Sequence, residues 1–214
     1  MMLSERHVIK PNNKLFPFLD DLCFKAKNLY NATLYRIRQE YFNTKQYLSY
    51  NSVQKEFQNN NNPDYKALPA HASQQIMRMV DQNFKSFFAA LKVYNKCKIG
   101  FNGRPKIPGY LDKDGRFSIY CAFSNGINKT SLKKDGKIKI IGTSVELVET
   151  KINIDSIKQL RIVPKGACII IEVIYEVPDV TPLINNGRYA AIDLGVDNLI
   201  TVTTNIKNEQ PIIL

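Results

Sequence analysis

The amino-acid sequence predicts an α+β fold in which a helical block interrupts a β-domain and a second β-rich segment follows. A segment with β-branched residues comes first, apolar residues then recur at helical spacing up to residue 100, and apolar and polar residues alternate from residue 116 onward. Because one strand precedes the helices and the others follow them, the β-domain should be assembled from two separated parts of the chain.

The first strand and the first helix follow each other directly. Residues 5–11 include Val8 and Ile9 and are predicted to form a strand that ends at Pro11. The period then changes to that of an amphipathic helix, which should continue to about Phe42. Its apolar face comprises Leu19, Leu22, Ala26, Leu29, Thr33 and Ile37.

Two more helices complete the helical block. A short helix is predicted to start at Ser49, as its N-cap, and to end near Phe57, before an Asn-rich linker at residues 58–63. A long helix is predicted after Pro69 and should end before Gly100. Its apolar face, which should pack on the first helix through Phe84, Phe87 and Phe88, also includes Ile76, Val80, Leu91 and Tyr94.

Several short strands are predicted after the helices. Residues 137–141 follow an Asp-Gly turn signal, and residues 160–163 should pair with residues 168–177 in a hairpin. Strands at this spacing are typical of a barrel or a sandwich. The first of them alternates through Phe117, Ile119, Cys121 and Phe123.

Asp193 is a carboxylate inside an apolar run, residues 189–194, that is predicted to form a strand. A second strand ending at Thr204 and a third at residues 210–214 should complete this segment. An ionised Asp in a buried strand is costly unless it is paired or binds a metal. Asp193 is therefore a candidate functional residue, and the alternative is that it caps a turn or faces solvent.

The composition favours a protein that works in the cytosol with a negatively charged partner. Thirty Lys or Arg stand against nineteen Asp or Glu, which gives a net charge of +11, and 44% of the residues are hydrophobic. No apolar run is long enough for a membrane span, and the first residues lack the apolar core of a signal peptide. The four cysteines form no C-x-x-C pair and are expected to be reduced and mostly buried, and the two histidines lack ligand spacing, so no zinc site is expected.

The positive charge is concentrated in one stretch. Residues 92–139 contain twelve Lys or Arg and three Asp. The centre of this stretch, residues 98–110, combines cations with Gly, Pro and interleaved aromatic residues. This composition suits a loop that runs along a phosphate backbone and has rings available for stacking. Nucleic-acid binding is the favoured interpretation, and a solvated basic loop is the alternative.

Four segments resemble one protein family. Residues 191–199 (Ala-Ile-Asp-Leu-Gly-Val-Asp-Asn-Leu) are similar to the first RuvC motif of TnpB proteins, the transposon-encoded RNA-guided nucleases ancestral to type V CRISPR effectors. Residues 68–75 (Leu-Pro-Ala-His-Ala-Ser-Gln-Gln), 84–88 (Phe-Lys-Ser-Phe-Phe) and 103–110 (Gly-Arg-Pro-Lys-Ile-Pro-Gly-Tyr) fall in the family's order and spacing. The resemblance therefore spans essentially the whole chain.

The resemblance implies three domains. A WED-type β-barrel would comprise residues 1–13 and 101–182, and a helical REC domain, residues 14–100, would interrupt it. Residues 187–214 would be the first hairpin of an incomplete RuvC domain with an RNase H-like fold.

The chemistry implied by the resemblance is Mg²⁺-dependent hydrolysis of DNA phosphodiesters, in which two metal ions orient water and stabilise charge. Asp193 matches the first metal-binding carboxylate and is the catalytic candidate. The family's other two carboxylates and its zinc-ribbon cysteines would lie beyond Leu214, and neither Asp197 nor Glu209 can replace them, because both lie in the first hairpin region. We therefore expect a fragment of a longer nuclease, or a natural truncation, that is inactive alone and self-associates through its unfinished sheet.

The partners implied by the resemblance are a guide RNA and a double-stranded target DNA, in the prokaryotic cytosol or nucleoid. Gln74 and Gln75 are candidate readers of base edges, and Tyr50 is a candidate aromatic contact. The candidate phosphate contacts are Arg78, Lys92, Lys96, Lys98, Arg104, Lys106 and Arg116.

Three other functions remain as alternatives. The chain could be a naturally truncated, nuclease-inactive regulator that binds DNA or RNA. It could be a DNA-binding regulator with a helix-turn-helix module, although the predicted connections between helices are longer than such a module needs. It could also be a structural RNA-binding protein in which cleavage plays no part.

Overall fold

The computed structural model describes residues 1–179, 186–195 and 199–214, and it divides into two compact units, Met1–Val177 and Pro178–Leu214. The predicted α+β class is confirmed, because both units contain antiparallel sheets and the first also contains the helices. The expected β-domain limit at residue 182 and the residue Asp197 lie outside the described residues. The proposed domain limits at residues 13 and 100 stay predictions.

The N-terminal strand and the first two helices match the sequence pattern closely. Strand β1 is Met2–Ile9, helix α1 is Phe16–Thr44 and helix α2 is Tyr50–Asn59. Ser49 caps α2 as predicted, since its Oγ accepts a hydrogen bond from the backbone N–H of Ser52.

The rest of the helical block differs from the prediction in one element. The one-turn helix α3, Pro63–Lys66, begins where the Asn-rich linker was expected to end, and the Asn62 side chain accepts a hydrogen bond from the N–H of Tyr65. The long helix α4 is Ala70–Lys96, as expected after Pro69.

The segment after the helices contains both helices and strands. Strand β2, Ile119–Ala122, is shorter than the predicted alternation because helix α5, Phe123–Gly126, begins directly after it. The next elements in chain order are helix α6 (Lys129–Asp135), strands β3 (Lys137–Lys139) and β4 (Glu146–Glu149), a 3₁₀ turn (Ile154–Ser156), and strands β5 (Ile157–Lys165) and β6 (Cys168–Glu176).

The sheet of the first unit is open, so the expectation of a closed barrel is corrected for the described residues. Four antiparallel strands lie in the order β1-β6-β5-β2, and β3 and β4 form a separate two-stranded sheet. The predicted β5–β6 hairpin is confirmed. The edge strands β1 and β2 do not pair with each other, because the residues after β2 enter α5 and α6 instead of continuing as strands.

Helices and sheet of the first unit share one hydrophobic core. One face of the sheet contributes Leu160, Ile162, Ile171 and Val173, which are fully buried together with Leu19 of α1. Burial of each such side chain stabilises the fold by about 1.5–3 kcal/mol.

The C-terminal parts of α1 and α4 contact each other through aromatic side chains, as the sequence indicates. Phe84 is fully buried, and the Phe88 ring lies 5.5 Å from that of Tyr41 on α1. Phe87 and Phe88 are only half-buried. The Tyr47 ring, from the α1–α2 connection, lies 5.7 Å from Phe84 and 5.5 Å from Phe88.

The expectation of mostly buried, reduced cysteines is met in part. All four cysteines are free, and Cys23 and Cys121 are buried, whereas Cys97 is exposed and Cys168 is half-buried. Burial raises the pKa of the Cys23 and Cys121 thiols to about 12.

The second unit is a small antiparallel sheet. Its strands are β7 (Ala190–Asp193), β8 (Thr201–Thr204) and β9 (Ile212–Ile213), and β8 lies between the other two. The hairpin and the third strand are therefore as predicted. All four residues of β7 are exposed, so the expectation that Asp193 lies in a buried strand is wrong. Among the described residues, no helix is long and apolar enough to cross a membrane.

Candidate nucleic-acid interface

Asp81 of α4 holds the N-terminus of α2 against α4. Asp81 is only 6% exposed, and its Oδ1 accepts hydrogen bonds from the Tyr47 hydroxyl (2.6 Å) and the Tyr50 backbone N–H (2.8 Å). Its Oδ2 lies 2.6 Å from Lys85 Nζ. Burial alone would raise the pKa of Asp81, but the hydrogen bonds from Lys85, Tyr47 and Tyr50 outweigh it and lower this pKa. The carboxylate therefore fixes the position of Tyr50.

Tyr50 and Arg78 form a pair on the surface made by α2 and α4. The guanidinium carbon of Arg78 lies 5.0 Å from the centre of the Tyr50 ring, and Arg78 is exposed. Gln74 and Gln75 are half-buried and precede Arg78 by four and three residues, so they share its side of the helix. The structure thus places four residues singled out from the sequence on one surface.

His71 lies at the first turn of α4, beside this surface. Its Nε2 accepts a hydrogen bond from the Ala122 backbone N–H at 3.1 Å. Burial, and secondly the charge of Arg78, lower the pKa of His71. The neutral imidazole therefore joins α4 to the end of β2.

The C-terminal end of α4 and the segment after it carry exposed cations. Five predicted phosphate contacts are exposed: Lys92, Lys96, Lys98, Arg104 and Lys106. Within the part of the chain that the structure describes, none of the five forms an ion pair with a carboxylate. Lys98 Nζ lies 5.9 Å from the centre of the Tyr94 ring, which meets Phe101 edge-on at 5.5 Å. These charges are available to an anionic partner.

The next residues, 108–117, are called the strap here because they run along α1 in the opposite direction and are fixed to it at intervals. Asn31 and Leu111 exchange two hydrogen bonds at the middle of the strap. The other contacts, in strap order, are Arg38 Nη1 to Pro108 O (3.0 Å), Lys27 Nζ to Lys113 O (2.6 Å), Arg116 to Asp20, and Phe117 N to Cys23 O (3.0 Å). Residues 97–107, called the basic segment, are therefore held at both ends, by α4 and by the strap.

Arg116 differs from the other predicted phosphate contacts because it is bonded within the chain. Its Nε and Nη2 each donate a hydrogen bond of 2.7 Å to the Asp20 carboxylate, and its guanidinium carbon lies 4.9 Å from the Phe24 ring centre. Hydrogen bonding to Arg116 lowers the pKa of Asp20. Arg116 thus fastens the strap, and its role as a phosphate contact stays a prediction.

Sequence reasoning missed Asp20, Lys27, Asn31, Arg38 and Asp81 as determinants of this surface. Each acts through a residue distant in sequence, up to 96 positions away in the Asp20–Arg116 pair. Lys27 lies outside the predicted apolar face of the first helix, yet it is only 4% exposed in the structure, where its Nζ donates to the Lys113 carbonyl oxygen.

Asp193 lies at the end of β7, opposite Thr201, and is exposed. The described residues contain no group of three His, Cys, Asp or Glu side chains that could hold a metal ion. A single carboxylate does not fit the two-metal arrangement that the sequence resemblance implies. No catalytic step can be derived from these residues alone.

Comparisons with known proteins give a partial match. No protein-family model and no curated protein matches the sequence. Among solved structures, a chain in the cryo-EM structure of a CRISPR-Cas12f ternary complex is similar, with 13% sequence identity and a TM-score of 0.35. The match covers 92% of this chain and 47% of that chain, so this chain spans about half the length of the other. The function of this chain is therefore inferred from its own residues and contacts.

Proposed function

We propose that the protein binds nucleic acid through the surface formed by α4, the N-terminus of α2 and the basic segment before the strap. One observation carries the proposal: five exposed cations without a carboxylate partner among the described residues follow the Tyr50–Arg78 pair along the chain. Exposed Lys and Arg bind phosphates, and a half-buried ring with adjacent amides can contact bases.

In its finer form, the proposal is that the chain is the nucleic-acid-binding N-terminal part of a TnpB-like RNA-guided endonuclease. The support is the order and spacing of residues 68–75, 84–88, 103–110 and 191–199 in the sequence. Guide RNA and double-stranded target DNA are the proposed partners, with Gln74 and Gln75 at base edges. Asp193 would be one of several carboxylates that hold Mg²⁺, and cleavage would require the others to be supplied.

Salt dependence tests the general proposal. Fluorescence anisotropy with labelled RNA and DNA should show affinity falling by about a thousandfold or more between 50 and 200 mM salt if six or more cations contact phosphates. Replacing Lys92, Lys96, Lys98, Arg104 and Lys106 together by Gln should weaken binding and flatten the salt dependence. The control is a variant in which Lys151 and Lys165 are replaced by Gln. Both are exposed, and both lie outside residues 92–139. A flat response in the unaltered protein would contradict the proposal.

The identity of co-purifying nucleic acid tests the finer proposal. A discrete transcript that adjoins the 3′ end of the protein's own gene would support a guide RNA. Duplex DNA alone would support a DNA-binding regulator, and an unrelated structured RNA would support a structural RNA-binding protein. Mg²⁺-dependent cutting that persists in Asp193→Ala would show that the assignment of Asp193 is wrong.

A further inference from the structure

Three aromatic side chains on the C-terminal half of α1 and on the strap are exposed. Tyr35, Phe42 and Tyr110 are 56%, 46% and 49% exposed. Tyr35 and Phe42 are two helical turns apart and lie on the same side of α1, which is also the side where Asn31 and Arg38 hold the strap. The three rings and Arg38 are called the aromatic face.

Arg38 is fixed at the centre of the aromatic face. Its guanidinium carbon lies 4.9 Å from the centre of the Tyr110 ring and 5.5 Å from that of Phe42. Its Nη1 donates a hydrogen bond of 3.0 Å to the Pro108 carbonyl oxygen. A planar cation and rings are thus already ordered, so a ligand that stacks on them need not order them first.

The chemistry of the aromatic face matches nucleobases. On α1 and the strap, every described large hydrophobic side chain that is exposed is aromatic, and none is Leu, Ile or Val. Arg38, beside the Phe42 and Tyr110 rings, supplies the positive charge of this face, and the exposed cations that end at Lys106 directly precede the strap, so an anionic ligand is favoured. Aromatic rings interleaved with cations bind successive unpaired bases by stacking, whereas bases in a duplex have their faces covered by their neighbours.

We infer that the aromatic face stacks on unpaired bases of a single-stranded nucleic acid. This inference rests on the proposed nucleic-acid binding and extends it. It adds a second contact region, and it specifies that the bound strand is unpaired there.

Tryptophan fluorescence tests the inference in the full chain, because the sequence contains no tryptophan. Phe42→Trp places a single reporter on the aromatic face, and Ile141→Trp places a matched reporter at a site that is 48% exposed, in the loop after β3. Single-stranded oligo(dT) should quench the fluorescence of Phe42→Trp and leave that of Ile141→Trp unchanged. The same strand annealed to oligo(dA) should quench neither.

Anisotropy with the same oligonucleotides separates this inference from the proposed function. Binding without selective quenching of Phe42→Trp, or equal quenching by the duplex, would overturn the stacking inference and leave nucleic-acid binding intact. Absence of binding to both oligonucleotides and to the labelled RNA of the salt titration would overturn both.

A second variant checks that the rings contribute to affinity. Tyr35→Ala combined with Phe42→Ala should weaken oligo(dT) binding by about fivefold or more. The slope of affinity against salt concentration should stay unchanged, because no charge is removed. Unchanged affinity in a variant that melts like the unaltered protein would overturn the inference.

Discussion

Asn31 and Leu111 exchange two hydrogen bonds, each 2.9 Å long, although they are 80 positions apart in the sequence. The Asn31 amide nitrogen donates to the Leu111 carbonyl oxygen, and the Leu111 N–H donates to the Asn31 amide oxygen. One side chain therefore satisfies both polar groups of a backbone residue, as a neighbouring strand would do. This pairing keeps the middle of the strap on α1.

Replacing Asn31 by Ala should loosen the strap. Loss of two hydrogen bonds should lower the free energy of unfolding by about 1–2 kcal/mol, measured by urea denaturation. Trypsin should also cut faster after Lys106 and Lys113, the cleavable sites between Arg104 and Lys113, since Pro105 protects the bond after Arg104. Asn31→Asp keeps the acceptor but places a carboxylate oxygen against the Leu111 carbonyl, so it should be destabilising as well. Proteolysis unchanged in both variants would contradict this role.

Replacing Asp81 by Ala should destabilise the junction of α2 and α4. The Tyr47 hydroxyl and the Tyr50 N–H would lose their acceptor, at a cost of about 2 kcal/mol or more. Asp81→Asn retains one acceptor oxygen and should cost less. Chemical denaturation of both variants measures the difference, and equal stability of Asp81→Ala and the unaltered protein would contradict the assignment.

Asp81 should also contribute to unfolding in acid. The pKa of Asp81 is lower in the folded protein than its ordinary value of 3.8, so its stabilising effect is complete above that value and is lost as the pH falls through the folded pKa. The stability difference between the unaltered protein and Asp81→Asn should therefore shrink below about pH 4. If the stability difference between the two proteins instead grew as the pH fell, this prediction would be contradicted.

His71 should make stability depend on pH in a different range. Its folded pKa lies below the ordinary 6.5, so the unfolded chain takes up a proton first, and stability should decrease as the pH falls below 6.5 towards the folded pKa. Thermal melting between pH 5 and 7.5 should show this decrease, and His71→Gln, which can still accept the Ala122 N–H, should reduce it. His7→Gln changes the other histidine and is the control; an equal effect in both variants would exclude His71 as the cause.

Gly126 should not tolerate a larger side chain. A Cβ at this position would lie 2.8 Å from both the Cys121 Cβ and the His71 Cδ2, and 3.1 Å from the Cys121 Cα. Gly126→Ala should therefore lower the free energy of unfolding by about 1–3 kcal/mol. At Gly109, nothing lies within 4 Å of an added Cβ, so Gly109→Ala should have little effect in the same denaturation experiment.

The sequence by itself determined the local elements. The apolar period from Leu19 to Ile37 specified α1, Ser49 specified the start of α2, and Gly166 specified the turn of the β5–β6 hairpin, because periods, caps and turns depend on neighbouring residues. The concentration of cations in residues 92–139 was likewise visible without a structure, and so were the residues of the candidate surface, Gln74, Gln75 and Arg78 among them.

Only the tertiary structure decided how these elements meet. An alternating pattern does not state whether its strands close into a barrel, and here β1 and β2 remain separate edges of an open sheet. The apolar run around Asp193 predicted burial, yet β7 is exposed. In the sequence Arg116 does not differ from the other cations, but in the structure it is bonded to Asp20 of α1. The partners of Asp81 and Asn31 likewise lie on other elements. Such pairs join residues that are distant in the chain, and short-range sequence patterns do not predict which distant residues will be in contact.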